Sequence, residues 1–132
     1  GVGNRKYGET RGGRQGGAEV RDGGGYRLVL VTAGSEEEGA RIARALVGEG
    51  LAACVNIVPR VRSIYRWKGE VRDEPESLLL IKTTAARLDA LSDRVGRLHS
   101  YAVPETIALT LDRGRESYLD WVDEVCGPSP KP

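Results

Sequence analysis

The chain has 132 residues, and its 20 Lys and Arg residues nearly balance its 19 Asp and Glu residues, which leaves a formal net charge of +1. This balance argues against a nucleic-acid-binding protein, because such proteins depend on a strongly basic surface. No stretch approaches the ~18 apolar residues of a membrane-spanning helix. Two cysteines are too few for the disulfide framework of a small secreted domain, so the composition indicates an ordinary small globular domain.

The first 25 residues differ in composition from the rest of the chain. They hold 10 of its 18 glycines and only four apolar residues, and such a segment buries too little apolar surface to offset the entropy that it loses on folding. Gly and Pro also dominate the last residues, where they stop regular structure. We therefore expect a disordered tail over residues 1–25, one domain over residues 26–126 and a flexible tail over residues 127–132.

A strand and a capped helix begin the predicted domain. Residues 26–33 (YRLVLVTA) are apolar at consecutive positions, which is typical of a central strand. Ser35 and Glu38 then form a capping box, in which a hydroxyl and a carboxylate satisfy backbone N–H groups at a helix start. Apolar residues at helical spacing continue to Gly48, which ends the helix.

A long hairpin is predicted to follow. Two strand patterns, residues 51–58 and 61–68, are separated by Pro59, which indicates a sheet edge or a β-bulge. A charged return arm at residues 70–76 leads into the apolar strand pattern of residues 77–83. Because a hairpin of this length exposes strand edges that must be covered, we expect an oligomer.

The remaining chain predicts a helix, a strand and a last helix. Apolar spacings of 3, 4 and 3 predict a helix over residues 85–98, alternation predicts a strand over residues 106–111, and aromatic residues mark a helix near residues 118–125. The resulting order, β-α-β-β-α-β-α, is that of an α+β, ferredoxin-like split βαβ fold. Both main helices then cover one face of a four-stranded antiparallel sheet, and we expect subunit association to cover the other.

Catalytic motifs are missing from the sequence. It has no phosphate-binding loop, no nucleophile elbow and no metalloprotease or paired-cysteine motif, so we predict a protein that is not an enzyme. Its soft or borderline metal ligands are His99, Cys54 and Cys126. A conventional zinc site needs about four ligands, which these residues of a single chain do not supply.

Two segments nevertheless combine side chains that bind or react. The long strand unit carries a thiol and two aromatic rings, and the loop at residues 99–105 carries an imidazole, a phenol and a carboxylate. Lys82 lies within an apolar strand pattern, where its ammonium needs a partner, and the loop carboxylate is the obvious candidate. The side chains of the strand unit are those of Cys54, Tyr65 and Trp67, and the side chains of the loop are those of His99, Tyr101 and Glu105.

Each of these residues also has a purely structural interpretation. Cys54 can be a small buried apolar side chain, and His99 can cap the C-terminus of a helix. Tyr65 and Trp67 can cover a groove between subunits. An ion pair formed by Lys82 can likewise be structural.

Five segments together resemble the CutA family of divalent-cation tolerance proteins. They occur in order between about residues 26 and 125, and they are residues 51–59, 63–69, 80–83, 99–105 and 118–121. The resemblance implies a ferredoxin-like subunit in a homotrimer that is related in shape to PII-type signalling proteins. It also implies a cytoplasmic protein linked to tolerance of copper and other divalent metals.

The resemblance implies roles for individual residues. His99 corresponds to the family's loop histidine, which is implicated as a copper ligand, and Cys54 corresponds to the cysteine of its strand motif. The polar and aromatic positions of the family's cleft between subunits correspond to Tyr65, Trp67, Lys82, Tyr101 and Glu105.

The chain departs from the family pattern near these residues. Ser100 stands where the loop usually has a proline, and Ala102 stands where a polar residue is common. Val31 and Leu98 stand where some members have a cysteine and a second histidine. Because Cu(I) accepts two or three soft ligands, the remaining imidazole and thiolate, combined across a trimer, predict weak copper binding.

A second function is open at this stage. The same trimer can act as a PII-like sensor that binds a small anion or metabolite in its clefts, because Lys82 and Arg66 beside two aromatic rings suit a carboxylate or a phosphate. An acylphosphatase-type enzyme is set aside, since residues 33–35 lack the anion-binding arginine that it needs. We predict the tolerance function, with copper as the bound metal.

Overall fold

Long strands and two helices form most of the described chain, residues 16–127, in the computed structural model. The elements are β1 (Val20–Asp22), β2 (Tyr26–Ala33), α1 (Glu36–Gly48), β3 (Cys54–Trp67), β4 (Glu70–Thr84), α2 (Leu88–Leu98), β5 (Ile107–Thr110), β6 (Arg113–Arg115) and α3 (Glu116–Val125). Short 3-10 turns precede β1 and α2. Within this part of the chain, no helix is long and apolar enough to cross a membrane. The predicted tail residues 1–15 and 128–132 lie outside the described residues.

β2 lies inside a four-stranded antiparallel sheet. The strand order is β3-β4-β2-β5, with β2 paired to β4 along its whole length and to β5 over four residues. Its consecutive apolar residues place Val29 and Val31 on the face that the helices cover, and Leu28 and Leu30 on the opposite face. The strand order and the sequence of elements confirm the predicted α+β, ferredoxin-like split βαβ fold.

Helices α1 and α2 pack on one face of this sheet and form the main core. Val31 of β2, Leu79 and Ile81 of β4, Leu46 of α1 and Val95 of α2 are all fully buried in one cluster. Complete burial of each such side chain contributes roughly 1.5–3 kcal/mol to the transfer free energy. Both helices therefore lie on the same face, as the predicted crossovers require.

The other face of the sheet carries apolar side chains that have no helix packed over them in the described part of the chain. Alternation along the paired strands brings them together, since residues two apart in a strand share a face. Val58, Ile107 and Leu109 are 39%, 53% and 45% exposed. We call this surface the open face, and it consists of Leu28, Leu30, Val58, Leu78, Leu80, Ile107 and Leu109.

The structure differs from the predicted tail in residues 16–25. Strand β1 pairs with β6 in a separate two-stranded sheet, and the Glu116 N–H donates to the Glu19 carbonyl at 2.6 Å. The Arg21 guanidinium donates to Asp120 Oδ1 and to the Tyr26 hydroxyl, both at 2.7 Å. Backbone pairing and charged hydrogen bonds thus order a segment whose few apolar residues predicted no structure.

Glu38 joins the start of α1 to the loop at residues 99–105. The Ser35 hydroxyl accepts the Glu38 N–H at 3.1 Å, which confirms the predicted N-cap. The Glu38 carboxylate accepts the Ser100 N–H at 2.8 Å and the Gly34 N–H at 3.3 Å. Burial alone raises the pKa of Glu38, but these hydrogen bonds outweigh it and hold the pKa below its ordinary value.

We expect Glu38→Gln to lower the free energy of unfolding at neutral pH by about 1–2 kcal/mol, because a charged acceptor of backbone N–H groups is lost. The folded pKa of Glu38 lies below its unfolded value, so its contribution is present above the unfolded pKa and is lost as the pH falls through the folded pKa. Urea unfolding from neutral to acidic pH should show the wild-type and variant stabilities converging.

Glu37→Gln is the matched control, since it removes an exposed carboxylate from the same helical turn. Its loss of favourable contact with the helix dipole should cost no more than about 0.5 kcal/mol. Stability curves of wild type and Glu38→Gln that stay parallel down to acidic pH would contradict the assigned role of the Glu38 carboxylate.

Candidate functional site

The loop at residues 99–105 is fixed to the sheet through His99. The imidazole is buried, its Nε2 donates to the Thr32 carbonyl oxygen at 2.7 Å, and its Nδ1 accepts the Tyr101 N–H at 3.0 Å. A carbonyl only accepts and an amide N–H only donates, so these partners define a neutral ring with its proton on Nε2. Both ring nitrogens are therefore engaged within the chain.

A β-bulge in β3 determines which hairpin side chains face this loop. The pairing of β3 with β4 shifts register just after Val58, where Pro59 is followed by Arg60 with a φ of 59°. One extra residue in a strand moves every later side chain to the opposite face. The bulge confirms the interruption predicted at Pro59, and it turns Tyr65 and Trp67 toward the side of the open face.

The hairpin and the loop border a cleft of about 640 Å³. Sites for small organic molecules have volumes of roughly 300–1,000 Å³. Four of the five residues that are predicted to bind a ligand line this cleft, namely Tyr65, Trp67, Tyr101 and Glu105. The other lining residues are Thr32, Ser63, Ile64, Arg72, Glu76, Ala102 and Val103.

Carboxylates dominate the polar contacts of the cleft. The Tyr101 hydroxyl donates to Glu76 Oε2 at 2.8 Å, and the Tyr65 hydroxyl donates to Glu74 Oε1 at 2.6 Å. Burial and the hydrogen bond to Glu76 raise the pKa of Tyr101. Partial burial and the nearby Glu76 carboxylate raise the pKa of Glu105. Glu76 and Glu105 thus share the lining with Arg72, whose buried Nε has no hydrogen-bond partner among the described residues.

Lys82 and Arg66 do not line the cleft of the single chain, although the alternative function, an anion sensor, places them beside its aromatic rings. Lys82 lies six positions along β4 from Glu76, which is about 20 Å at ~3.3 Å per residue, and its ammonium donates to the Asn56 side-chain oxygen rather than to Glu105. Arg66 points to the opposite side of the hairpin from its neighbours in the cleft. The charged residues that line the cleft of one chain are therefore Arg72, Glu76 and Glu105.

Cys54 and His99 lie at separate places within one chain. In the register of the sheet, Cys54 pairs with Lys82, whereas Thr32, the partner of the imidazole, pairs with Leu78. These positions are four residues apart along β4, about 13 Å at ~3.3 Å per residue. The described part of the chain contains no group of three or more His, Cys, Asp or Glu side chains that could hold a metal ion.

Sequence reasoning missed Thr32, Arg72 and Glu76 as lining residues. Arg72 and Glu76 belong to the segment that is predicted as a charged return arm, but β4 continues through it. Beyond the bulge, even-numbered residues of β4 pair with odd-numbered residues of β3. Counting this register along the hairpin would have placed Arg72 opposite Tyr65 and Glu76 on the same face of the hairpin, opposite Val61. No sequence signal marks Thr32.

Comparison with known proteins agrees with this architecture. A family model described as CutA1 divalent ion tolerance protein matches residues 27–125. The divalent-cation tolerance protein CutA of Thermus thermophilus is 54% identical over 100 residues, which are 76% of this chain and 97% of that protein. Protein CutA 1, chloroplastic, of Oryza sativa is 47% identical over 95 residues, which are 72% of this chain and 54% of that protein.

A solved structure of a CutA protein has the same fold as this chain. The structure of CutA from Synechococcus elongatus PCC7942 matches with a TM-score of 0.80 and 37% sequence identity, over 83% of this chain and 97% of that one. The family model covers nearly all of the predicted domain. The chain therefore belongs to the CutA family of divalent-cation tolerance proteins.

Proposed function

We propose that the chain forms a homotrimer, that it binds metal ions and contributes to divalent-cation tolerance, and that it has no catalytic function. The observation that supports this proposal is the open face, where seven apolar side chains share one side of the sheet. Monomeric soluble proteins rarely expose continuous apolar surfaces of this kind, and further copies of the same chain are its simplest cover. The number of three subunits follows from the resemblance to the family.

Leu80→Glu places a charge at the centre of the open face, where Leu80 pairs with Asn56 of β3 and Leu30 of β2. We expect wild type to have three chain masses in light scattering at micromolar concentration. The variant should dissociate to single chains, because an unpaired carboxylate cannot be buried in an interface without a large cost.

Val47→Glu is the control for this experiment, since Val47 is 45% exposed on α1 and lies outside the open face. It should retain the wild-type mass. A wild-type protein of one chain mass, or equal dissociation by both variants, would contradict assembly through the open face.

We further propose copper as the bound metal, with Cys54 as its principal ligand. The Cys54 thiol is half-buried on the side of the open face, and its closest polar contact is Asn56 Oδ1 at 3.8 Å. A homotrimer supplies one such thiol from each subunit, and Cu(I) accepts two or three soft ligands. His99 can join the site only if copper replaces one of its hydrogen bonds to Thr32 or Tyr101.

Competition titration of Cu(I) against a chelator tests this assignment. We expect Cys54→Ser to weaken copper binding at least tenfold, because the thiolate is the softest ligand available. Cys126→Ser is the matched control and should bind like wild type, since Cys126 is buried and its burial raises the pKa of the thiol. A His99→Ala variant should lose less affinity than Cys54→Ser. Equal affinities of wild type and Cys54→Ser would contradict the proposal.

We also propose that the protein works in the cytoplasm. Cys54 and Cys126 are both free, which is the state that a reducing compartment maintains. The same conditions keep the Cys54 thiol available as a copper ligand.

A further inference from the structure

The last helix, α3, has a charge pattern that opposes its own stability. Its sequence, ESYLDWVDEV, contains four acidic residues and no basic one. Glu116, Asp120 and Asp123 follow one another at spacings of four and three, so their like charges lie on one side of the helix and repel each other. We call these three residues the acidic stripe. Asp123 and Glu124 also lie near the C-terminal end of the helix, where the helix dipole disfavours negative charge.

The N-terminus of α3 receives its cap from a distant segment. The preceding residue, Arg115, makes no side-chain hydrogen bond to the first turn. The Glu19 carbonyl accepts the Glu116 N–H at 2.6 Å instead. Because a helix of ten residues is marginal in isolation, α3 depends on contacts from outside the helix at this end as well.

Arg21 supplies the positive charge that α3 lacks. Its guanidinium donates to Asp120 Oδ1 at 2.7 Å, and its nitrogens lie 3.6 Å from an Asp123 oxygen and 3.9 Å from a Glu116 oxygen. The same guanidinium donates to the Tyr26 hydroxyl, which in turn donates to Asp123 Oδ2 at 2.5 Å. One arginine thus faces the whole acidic stripe and joins α3 to the start of β2.

The segment that carries Arg21 buries no apolar side chain. We call this segment, residues 17–25, the strap, and its two apolar residues, Ala18 and Val20, are exposed. Strand β1 of the strap pairs with β6 over three residues, and β6 has no other strand partner in the described part of the chain. Ion pairs at a surface are weak and are screened by salt. The strap can therefore detach while the main core stays folded.

α3 covers a buried thiol. Cys126, at the C-terminal end of the helix, is 3% exposed and lies in one cluster with Leu119, Val122 and Tyr26. Arg87 Nε donates to the Cys126 carbonyl oxygen at 3.0 Å and anchors this end of the helix. We expect the thiol to become accessible when α3 moves away as a whole, rather than by fraying of its last turn.

We propose that the strap and α3 form one switchable unit, a latch that closes over Cys126 and is held by Arg21. Release of the strap leaves the acidic stripe uncompensated and the first turn of α3 without its cap, so the helix loosens with the strap and uncovers the thiol. Ionic strength sets the balance between the two states, because salt weakens the attraction between Arg21 and the stripe. The strap precedes the segment that the family model matches, residues 27–125. The inference goes beyond the proposed function, because it requires neither copper nor a particular number of subunits.

Thiol labelling of the full-length protein tests the latch. Cys54→Ser leaves Cys126 as the only thiol, and its rate of labelling by dithionitrobenzoate at low salt measures how often the latch opens. In this background, Arg21→Gln should raise the labelling rate at least about fivefold, because it removes hydrogen bonds between charged groups. Arg62→Gln is the matched control, since it breaks an exposed ion pair with Asp73 in the hairpin, and it should leave the rate unchanged. Equal rates with and without Arg21 would overturn the proposal.

The sign of the salt dependence separates the latch from general loosening of the fold. Raising sodium chloride from about 0.01 M to about 1 M shortens the Debye length from about 30 Å to about 3 Å. With Arg21 present, the labelling rate should rise with salt, because screening weakens the attraction of Arg21 to the acidic stripe. In Arg21→Gln the rate should fall with salt, because screening then relieves the repulsion within the stripe. Salt dependences of the same sign in both proteins would overturn the proposal.

Hydrogen exchange shows which segments open together. In Arg21→Gln, peptides from residues 17–25 and 113–125 should exchange faster by similar factors, whereas peptides from β4 should stay protected. Faster exchange of the strap alone, with α3 protected as in wild type, would overturn the coupling between them. All proteins are compared at a concentration where light scattering gives the wild-type mass, so that a failure of the latch is separate from a failure of the proposed assembly.

Discussion

The sheet β3-β4-β2-β5 has helices on one face only, and most other features of the molecule depend on this constraint. Helices α1 and α2 bury Val31, Leu79 and Ile81 completely. Strand alternation then gives the opposite face an apolar row of its own, which includes Leu80 and Ile107. Monomeric soluble proteins rarely expose a continuous apolar surface of this kind, which is why we propose that copies of the chain assemble through it.

A β-bulge and the hydrogen bonds of one histidine form the cleft at the end of that open face. The bulge at Pro59 and Arg60 turns the aromatic side chains of the hairpin to the same side as the open face. The hydrogen bonds of His99 hold the loop at residues 99–105 against the end of β2. This structural use of the imidazole leaves Cys54 as the principal ligand of the proposed copper site.

Much of the fold was predictable because its signals are local. The apolar run of β2, the Ser35 N-cap of α1 and the interruption at Pro59 each follow from neighbouring residues, and so does the order of elements. The lining of the cleft was not predictable in the same way, because it depends on register across a bulge. The bulge brings Tyr65 and Trp67 to the side of Glu76, whereas Lys82 lies six residues further along β4. The ordered segment before β2 depends on distant charged contacts such as Arg21 with Asp120, which composition does not reveal.

In the assembly that we propose, copies of the chain cover the open face. A crystal structure of the assembled protein tests it most directly. We expect chains packed through the open face, with Leu80 buried between subunits. Chains that leave the side chains of Leu80 and Ile107 in solvent would contradict it.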